Sequence, residues 1–305
     1  MISIQQMQYI LALSEERQFQ RASDACFVTQ PTLSMQLKKA ESTLGSQIFD
    51  RSTIPLELTP FGESLIPIIR DVLNEYQQLK VLAEKQKGIY KERIRIAIIP
   101  TIATYMLPDL FEEWKQILEE IQLTIVEMKT EDLLVALDTK KIDLGILAGP
   151  VIEPKLRTTV LYREEILAFI PQIKAKEVST NELESYHPWL LTQGNCLRTQ
   201  MIHFCHLNND APEDWNYEGG NMELLKQMVE LHGGYTLVPE RSIGKPSPKY
   251  KRIRSESGEI PAREVVAVMS TRNAKWTIAE KLIRTIQLYY ATTDQSKEFK
   301  LLSWN

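Results

Sequence analysis

The sequence predicts three parts in succession: an all-α winged helix-turn-helix, a long single helix, and a two-lobed α/β domain. Three observations carry that prediction. Residues 1–60 are dense in short amphipathic helical patterns, the last of them opened by a proline and closed by a glycine. Apolar residues then recur by fours and threes from Leu65 to Ala83. From Arg93 onward, short apolar strand patterns alternate with helical ones. The boundaries that follow are 1–58, 59–90 and 91–305, the last divided into lobe I (about 91–162 and 269–305) and lobe II (about 163–268).

In the first part, Ile4, Met7, Ile10, Leu11 and Leu13 define one helix, and Phe19, Ala22 and Ala25 a second. A third follows in which Thr29 or Gln30 caps the start and Pro31 suits the first turn. Leu33, Leu37, Ala40 and Leu44 share one face of it, and Gly45 ends it. Extended pieces around 48–51 and 56–58 read as a β-wing. On this plan the third helix enters the major groove of DNA. Gln30, Thr32, Ser34, Gln36 and Lys38 project from it as candidate base and phosphate contacts. Pro31 shapes that helix, and Arg51 in the wing is placed for a phosphate or the minor groove. Thr59 caps a long helix running to about residue 88. Its seam of Leu65, Ile69, Val72, Tyr76, Leu79 and Ala83 steps by four, three, four, three, four, and a seam of that kind is expected to pair with a second copy of the chain.

Beyond it, 93–99, 121–126 and 142–148 read as strands separated by helices, the pattern of a parallel, doubly wound sheet. The middle of the domain has strands at 166–170, 189–192 and 235–238 and a helix at 223–232. A strand at 265–269 and a helix at 276–290 return to the first lobe. Two such lobes joined by crossing strands resemble a periplasmic-binding-protein architecture, with a cleft at the strand ends. Residues 246–254, rich in Pro and Lys, read as a solvated loop.

Composition narrows the function classes. With 305 residues, 43% hydrophobic and 25% charged, the chain is an ordinary globular one with room for several domains. Its start lacks a basic run before an apolar stretch, so no signal peptide is expected. No apolar run approaches the ~18 residues needed to span a bilayer, so a cytoplasmic location without membrane association is expected. The net charge of −4 excludes a basic surface over the whole protein. Residues 1–60 themselves carry five basic side chains (Arg17, Arg21, Lys38, Lys39, Arg51) against six acidic ones (Glu15, Glu16, Asp24, Glu41, Asp50, Glu57). Useful DNA affinity therefore requires several modules held together, with steep salt dependence.

Three cysteines do not make a disulfide framework. Cys26 reads as a small apolar core residue. Cys196 and Cys205 lie nine apart, which on a helix is ~13 Å, against the ~7 Å between Cα atoms that a disulfide tolerates. Bridging them requires unwinding, so the pair suits a switch better than a staple. Cys196 falls at a helix start, where free N–H groups favour a thiolate, and Arg198 adds a cation two residues on. His203 and His206 flank Cys205, but three donors within four residues of one helix do not share a face, so no metal and no cofactor is expected.

Phe19, Arg21, Ala22, Thr29 through Ser34, Gln36, Leu37, Leu44, Gly45, Phe49, Arg51, Leu58, Thr59 and Gly62 fall where LysR-type transcriptional regulators carry their signature. The chain resembles that family over its full length. The resemblance adds Arg21 and Thr29 to the DNA-contacting set and implies promoter DNA and RNA polymerase as partners and a homotetramer. Within the family, Gly194, Cys196, Leu197, Arg198, Gln200, Phe204 and Cys205 resemble the OxyR-type hydrogen-peroxide sensors, and the segments around Cys26, Thr101 and Thr130 do so too. That resemblance implies a peroxidatic role for Cys196, a resolving role for Cys205 in a Cys196–Cys205 disulfide, and control of oxidative-stress genes. Thr101 and Thr130 then become candidates for orienting peroxide, and Arg263 for stabilising the thiolate. Where those sensors usually have His before the peroxidatic cysteine and Asp three residues after it, this chain has Asn195 and Thr199. Asn195 has no basic nitrogen, so peroxide handling is expected to differ. The competing readings are a regulator answering a small metabolite in the interlobe cleft, which would tolerate Cys196→Ser, and a thiol peroxidase, for which the helix-turn-helix has no use.

Overall fold

The computed structural model describes residues 1–86, 92–119, 121–205, 219–255, 257–271, 273, 275–291 and 299–302. The chain forms two compact units, Met1–Lys91 and Glu92–Asn305.

In the first unit, α1 (Ile4–Glu16) starts with a capping box in which Ser3 and Gln6 satisfy each other's backbone N–H groups. The second helix, α2 (Phe19–Ala25), leads through Phe27, at φ 55°, into α3 (Gln30–Leu44). Thr29 is the N-cap residue of α3, and Gly45 closes it in the left-handed conformation at φ 74°. Strands β1 (Phe49–Asp50) and β2 (Glu57–Leu58) pair antiparallel as the wing. The core is Ile10, Leu13, Leu33, Leu37, Ile48 and Phe49, with Cys26 packed against it and only partly buried.

Thr59 opens α4 (Pro60–Gln86), its hydroxyl accepting from the Gly62 N–H. Gly62 is needed there because a Cβ would lie 2.2 Å from the Ile48 carbonyl oxygen. The first half of α4 packs back on its own unit. Ile66 and Ile69 are fully buried in the core, and Leu65 and Leu73 lean against it. Leu65 and Ile69 are thus not free seam positions. Tyr76 is half-buried, with Lys80 Nζ 5.0 Å from its ring centre. The face left open is Ile68, Val72, Leu79 and Leu82. The expected end of the helix near residue 88 lies outside the described residues.

The second unit opens with β3 (Arg93–Ile98), α5 (Pro100–Ile117), β4 (Gln122–Glu127), α6 (Thr130–Asp138) and β5 (Leu144–Ala148). Strands β4, β3 and β5 are parallel, as alternation predicts. Two long strands follow other rules. β6 (Leu156–Phe169) and β10 (Ile260–Ser270) run antiparallel to each other and, for β10, to β5, so the sheet is mixed and not doubly wound throughout. β6 joins β10 with its first part, then β8 (Thr236–Pro239) and β9 (Tyr250–Arg254) with its last residues. β6 and β10 are therefore the two strands that cross between lobes. Lobe II adds β7 (Glu177–Ser179), α7 (Thr180–Leu183), α8 (Cys196–Phe204) and α9 (Met222–His232). A 3-10 turn at Glu240–Ser242 follows β8. The helix α10 (Trp276–Tyr290) returns to lobe I, and β11 (Phe299–Leu301) pairs with β10.

Three expectations change here. Residues 250–254 form β9, between β6 and β7, and not a solvated loop. Its inward Lys251 donates to the Pro248 carbonyl, while Arg252 and Arg254 pair with Glu165 and Glu177, so the basic residues disguise a strand. Residues 189–192 are an extended connector, not a strand; only Pro188 bridges to Tyr235. The segment 269–305 does not return wholly to lobe I, because Leu302 is buried in the lobe II core, its N–H donating to the Ala262 carbonyl. The two apolar cores divide between Tyr162 and Ile166 on β6, and on β10 the lobe I core begins at Val265.

Candidate peroxidatic site and nucleic-acid interface

The helix α8 carries one cysteine at each end. Cys196 is its first residue and packs in the lobe I core, while Cys205 caps its C-terminus and packs in the lobe II core. Both are free thiols and both are buried. Gly194, at φ 83°, makes the turn into α8, and Lys129 donates to the Gln193 carbonyl, tying that turn to the start of α6. Asn195 is the N-cap residue, buried, but its side chain does not cap the helix; its amide lies 3.5 Å from the Thr192 carbonyl oxygen. The first N–H groups of α8 are thus left for Cys196, and those of Leu197 and Cys196 itself favour a thiolate.

Burial pushes the Cys196 thiol up, and the groups opposing it are Arg263, these backbone N–H groups and the Thr130 hydroxyl. Arg263 is wholly buried on β10 and held on three sides. Its Nε donates to Glu164 at 2.8 Å, one terminal nitrogen to the Thr101 hydroxyl at 2.9 Å, and the other to the Thr101 carbonyl at 3.2 Å. Thr130 is buried, and its hydroxyl has no partner within hydrogen-bond geometry, although it lies near enough to the sulfur to favour the thiolate. A buried hydroxyl in that condition is a donor in want of an acceptor.

Arg198, the cation expected beside Cys196, points away. Its guanidinium donates to the Leu191 carbonyl at 3.0 Å, because a residue two positions along a helix faces another side. Arg263, far along the chain, takes its place. Around Arg263 lies a set that the sequence did not disclose. Glu164, wholly buried on β6, accepts from Arg263 and from the Tyr105 hydroxyl (2.7 Å), and the Tyr105 and Tyr162 hydroxyls lie 2.6 Å apart. The Arg241 guanidinium stacks over the rings of Tyr162 and Tyr290.

The Cys205 end is apolar. Burial pushes its thiol up to about 12, with only the Tyr235 hydroxyl nearby to oppose this. His203 is exposed, and His206 lies outside the described residues. In the middle of α8, buried Gln200 donates to the Leu302 carbonyl at 3.0 Å.

In the first unit, Arg21, Thr29, Gln30, Pro31 and Lys38 are exposed and Thr32 and Ser34 half-exposed, as a reading helix requires. Exposed Pro31 thus shapes the helix without packing it. Two expected contacts are already engaged. Gln36 accepts from Gln6, binding α3 to α1. Arg51 pairs with Glu41 at 2.7 Å, and the other Glu41 oxygen accepts the Ile48 N–H, so Arg51 fastens the wing to α3. Phe27 and Met35, passed over in the sequence, are exposed apolar side chains, Phe27 beside α3 and Met35 on it.

Comparison with known proteins agrees with this arrangement. Residues 4–63 match the bacterial regulatory helix-turn-helix of the lysR family, and residues 88–287 the LysR substrate binding domain. A hydrogen peroxide-inducible genes activator from Pectobacterium carotovorum is 32% identical over 79% of this chain and 81% of its own length. The DNA-binding transcriptional dual regulator OxyR of Escherichia coli K12 is 32% identical over 82% of each. Full-length OxyR from Pseudomonas aeruginosa, solved with a cysteine-to-aspartate substitution, superposes with a TM-score of 0.71 at 25% identity, over 97% of this chain and 99% of that one. The chain belongs to the LysR family of bacterial transcriptional regulators, in the group of the hydrogen peroxide-inducible genes activators.

Proposed function

We propose that this chain is a DNA-binding transcriptional regulator that senses hydrogen peroxide through Cys196 and controls oxidative-stress genes. The observation that carries the reading is the pairing at Cys196 of a helix start with a buried, fully held Arg263 and an unpartnered Thr130 hydroxyl. In the first step, the Cys196 thiolate attacks one peroxide oxygen. The O–O bond breaks, the sulfur becomes a sulfenic acid, and hydroxide leaves and takes up a proton as water. Thr101 and Thr130 orient the peroxide. In the second step, the Cys205 sulfur attacks the Cys196 sulfur, the S–S bond forms, and the sulfenic oxygen leaves as a second water. That step withdraws Cys205 from the lobe II core and requires α8 to unwind, since its length of ~13 Å exceeds what a disulfide spans. The change in lobe geometry alters the spacing of the DNA-reading modules.

The chain works in the cytoplasm as a homodimer through the open face of α4, assembled further into a homotetramer on promoter DNA with RNA polymerase as partner. Peptide-resolved mass spectrometry under non-reducing conditions, after micromolar peroxide, tests the chemistry. A Cys196–Cys205 bridge is expected, and its absence overturns the disulfide mechanism. A regulator answering a metabolite in the interlobe cleft would instead keep its response in Cys196→Ser.

A further inference from the structure

Of the three contacts that hold Arg263, two go to Thr101 and the third, the charged one, goes to a single carboxylate. Glu164 sits on β6 and Arg263 on β10, the two strands that cross between the lobes, and both are wholly buried. One Glu164 oxygen accepts from Arg263 Nε at 2.8 Å and from the Tyr105 hydroxyl at 2.7 Å, and the other faces the Arg241 backbone N–H at 3.4 Å. Glu164 and Arg263 form an ion pair with both side chains fully buried. A buried negative charge placed against the cation that favours the Cys196 thiolate must also weaken that cation's effect.

We propose that Glu164 is a positioning residue with two effects on Cys196: it holds Arg263 against Thr101, and it screens the guanidinium charge, so that the buried thiol stays largely protonated at rest. The threshold of the sensor is then set by an ion pair across the interlobe strands, and not by the helix start alone. This rests on the reading of Cys196 as the reactive thiol. The groups facing that site come from every element around it: Thr101 and Tyr105 on α5, Thr130 on α6 with Lys129 before it, Tyr162 and Glu164 on β6, Arg263 on β10, and Arg241 on the 3-10 turn. Of the charged ones, Lys129 is spent on the Gln193 carbonyl and Arg241 on the rings of Tyr162 and Tyr290. Glu164 is the negative member of the set.

Glu164→Gln keeps an oxygen for Arg263 and Tyr105, removes the charge, and gives up only the long 3.4 Å contact from the Arg241 N–H. The rate of Cys196 alkylation by iodoacetamide, followed by peptide-resolved mass spectrometry across pH in the full-length reduced protein, reads the thiol directly. In Glu164→Gln the midpoint falls, and at neutral pH alkylation speeds up about tenfold. An unchanged or raised midpoint overturns the proposal. Tyr105→Phe gives the opposite sign, since it removes a donor from the carboxylate and leaves its charge less compensated. There the midpoint rises and alkylation at neutral pH slows about threefold; a fall or no change overturns the proposal even if Glu164→Gln does not fold. Because alkylation needs no peroxide, a protein whose midpoints move as stated but whose Cys196 ignores peroxide would sink the proposed function and leave this inference standing.

Discussion

Cys196 and Cys205 sit on one helix, both buried, yet they occupy different chemical worlds. At Cys196 the helix start, Arg263 and Thr130 work against the cost of burying a thiolate. At Cys205 only the Tyr235 hydroxyl does, and burial pushes the thiol up to about 12. Only a thiolate attacks peroxide, so the difference fits the proposed roles, with Cys196 as the attacker and Cys205 as its partner. On the proposed mechanism, a resolving thiol held in an apolar core reacts only once the helix that carries it lets go, which keeps it from competing with Cys196 for the oxidant.

The sharpest way to break that comparison is to remove each thiol in turn. Cys196→Ser is expected to abolish peroxide oxidation of the α8 segment altogether. Cys205→Ser is expected to leave Cys196 trapped as a sulfenic acid that a dimedone-type probe captures. If Cys205 were oxidised in Cys196→Ser at the rate seen for Cys196 in the unaltered chain, the two ends would be chemically equivalent and the assignment would fail.

Next in size is Arg263→Gln. Loss of the cation leaves burial as the main influence on Cys196, and the midpoint of its alkylation should rise by about 1–3 pH units. The same change strands Glu164 as a buried unpaired charge, and breaking such a pair costs about 3–5 kcal/mol. Denaturant unfolding should show that loss together with the alkylation shift. A stable protein with an unshifted midpoint would remove Arg263 from the site.

Alkaline titration probes the other end. An ordinary thiol ionises near 9.0, and burial pushes Cys205 in the folded chain up to about 12. The folded state therefore holds its proton where the unfolded state has lost it. The stability this thiol contributes is fully present below the ordinary thiol range and is lost as pH rises toward 12, on the order of 4 kcal/mol across the window. Cys205→Ala should flatten the fall of unfolding free energy over that range. An identical slope in the two proteins would mean that Cys205 is not shielded as its surroundings indicate.

Much of this was legible in the sequence, and the exceptions share a cause. The helix-turn-helix, the strand and helix alternation to Ala148, the two cysteines and the pair Thr101 and Thr130 all follow from local pattern or resemblance, and the structure places the two threonines around Arg263 and Cys196. What local pattern cannot supply is a partner from across the sheet. Glu164 looks like one charge in an ordinary strand until the register of β6 against β10 sets it opposite Arg263. Residues 250–254 look like a loop because Lys251 faces inward, and only the Pro248 carbonyl explains why it is tolerated there. Ile69 fits a seam by spacing and a core by contact, and α1 decides between them.

The smallest expected effect belongs to the residue the sequence favoured most. Arg198 is two positions from Cys196 in the chain, and a cation so close in sequence is the natural candidate for lowering a thiol. Its guanidinium, however, is committed to the Leu191 carbonyl at 3.0 Å on the connector before α8. Arg198→Ala should therefore leave the Cys196 alkylation midpoint within about half a pH unit of its original position, while Arg263→Gln moves it further. Its cost should be to the connector: a hydrogen bond to a charged group contributes about 1.5–3 kcal/mol, and the Leu191 carbonyl it frees belongs to a buried residue. A midpoint displaced as far by Arg198→Ala as by Arg263→Gln would mean that the helix's own cation governs the thiol after all. In that event, the contrast between the two ends of α8 would come from the helix and not from the strands beneath it.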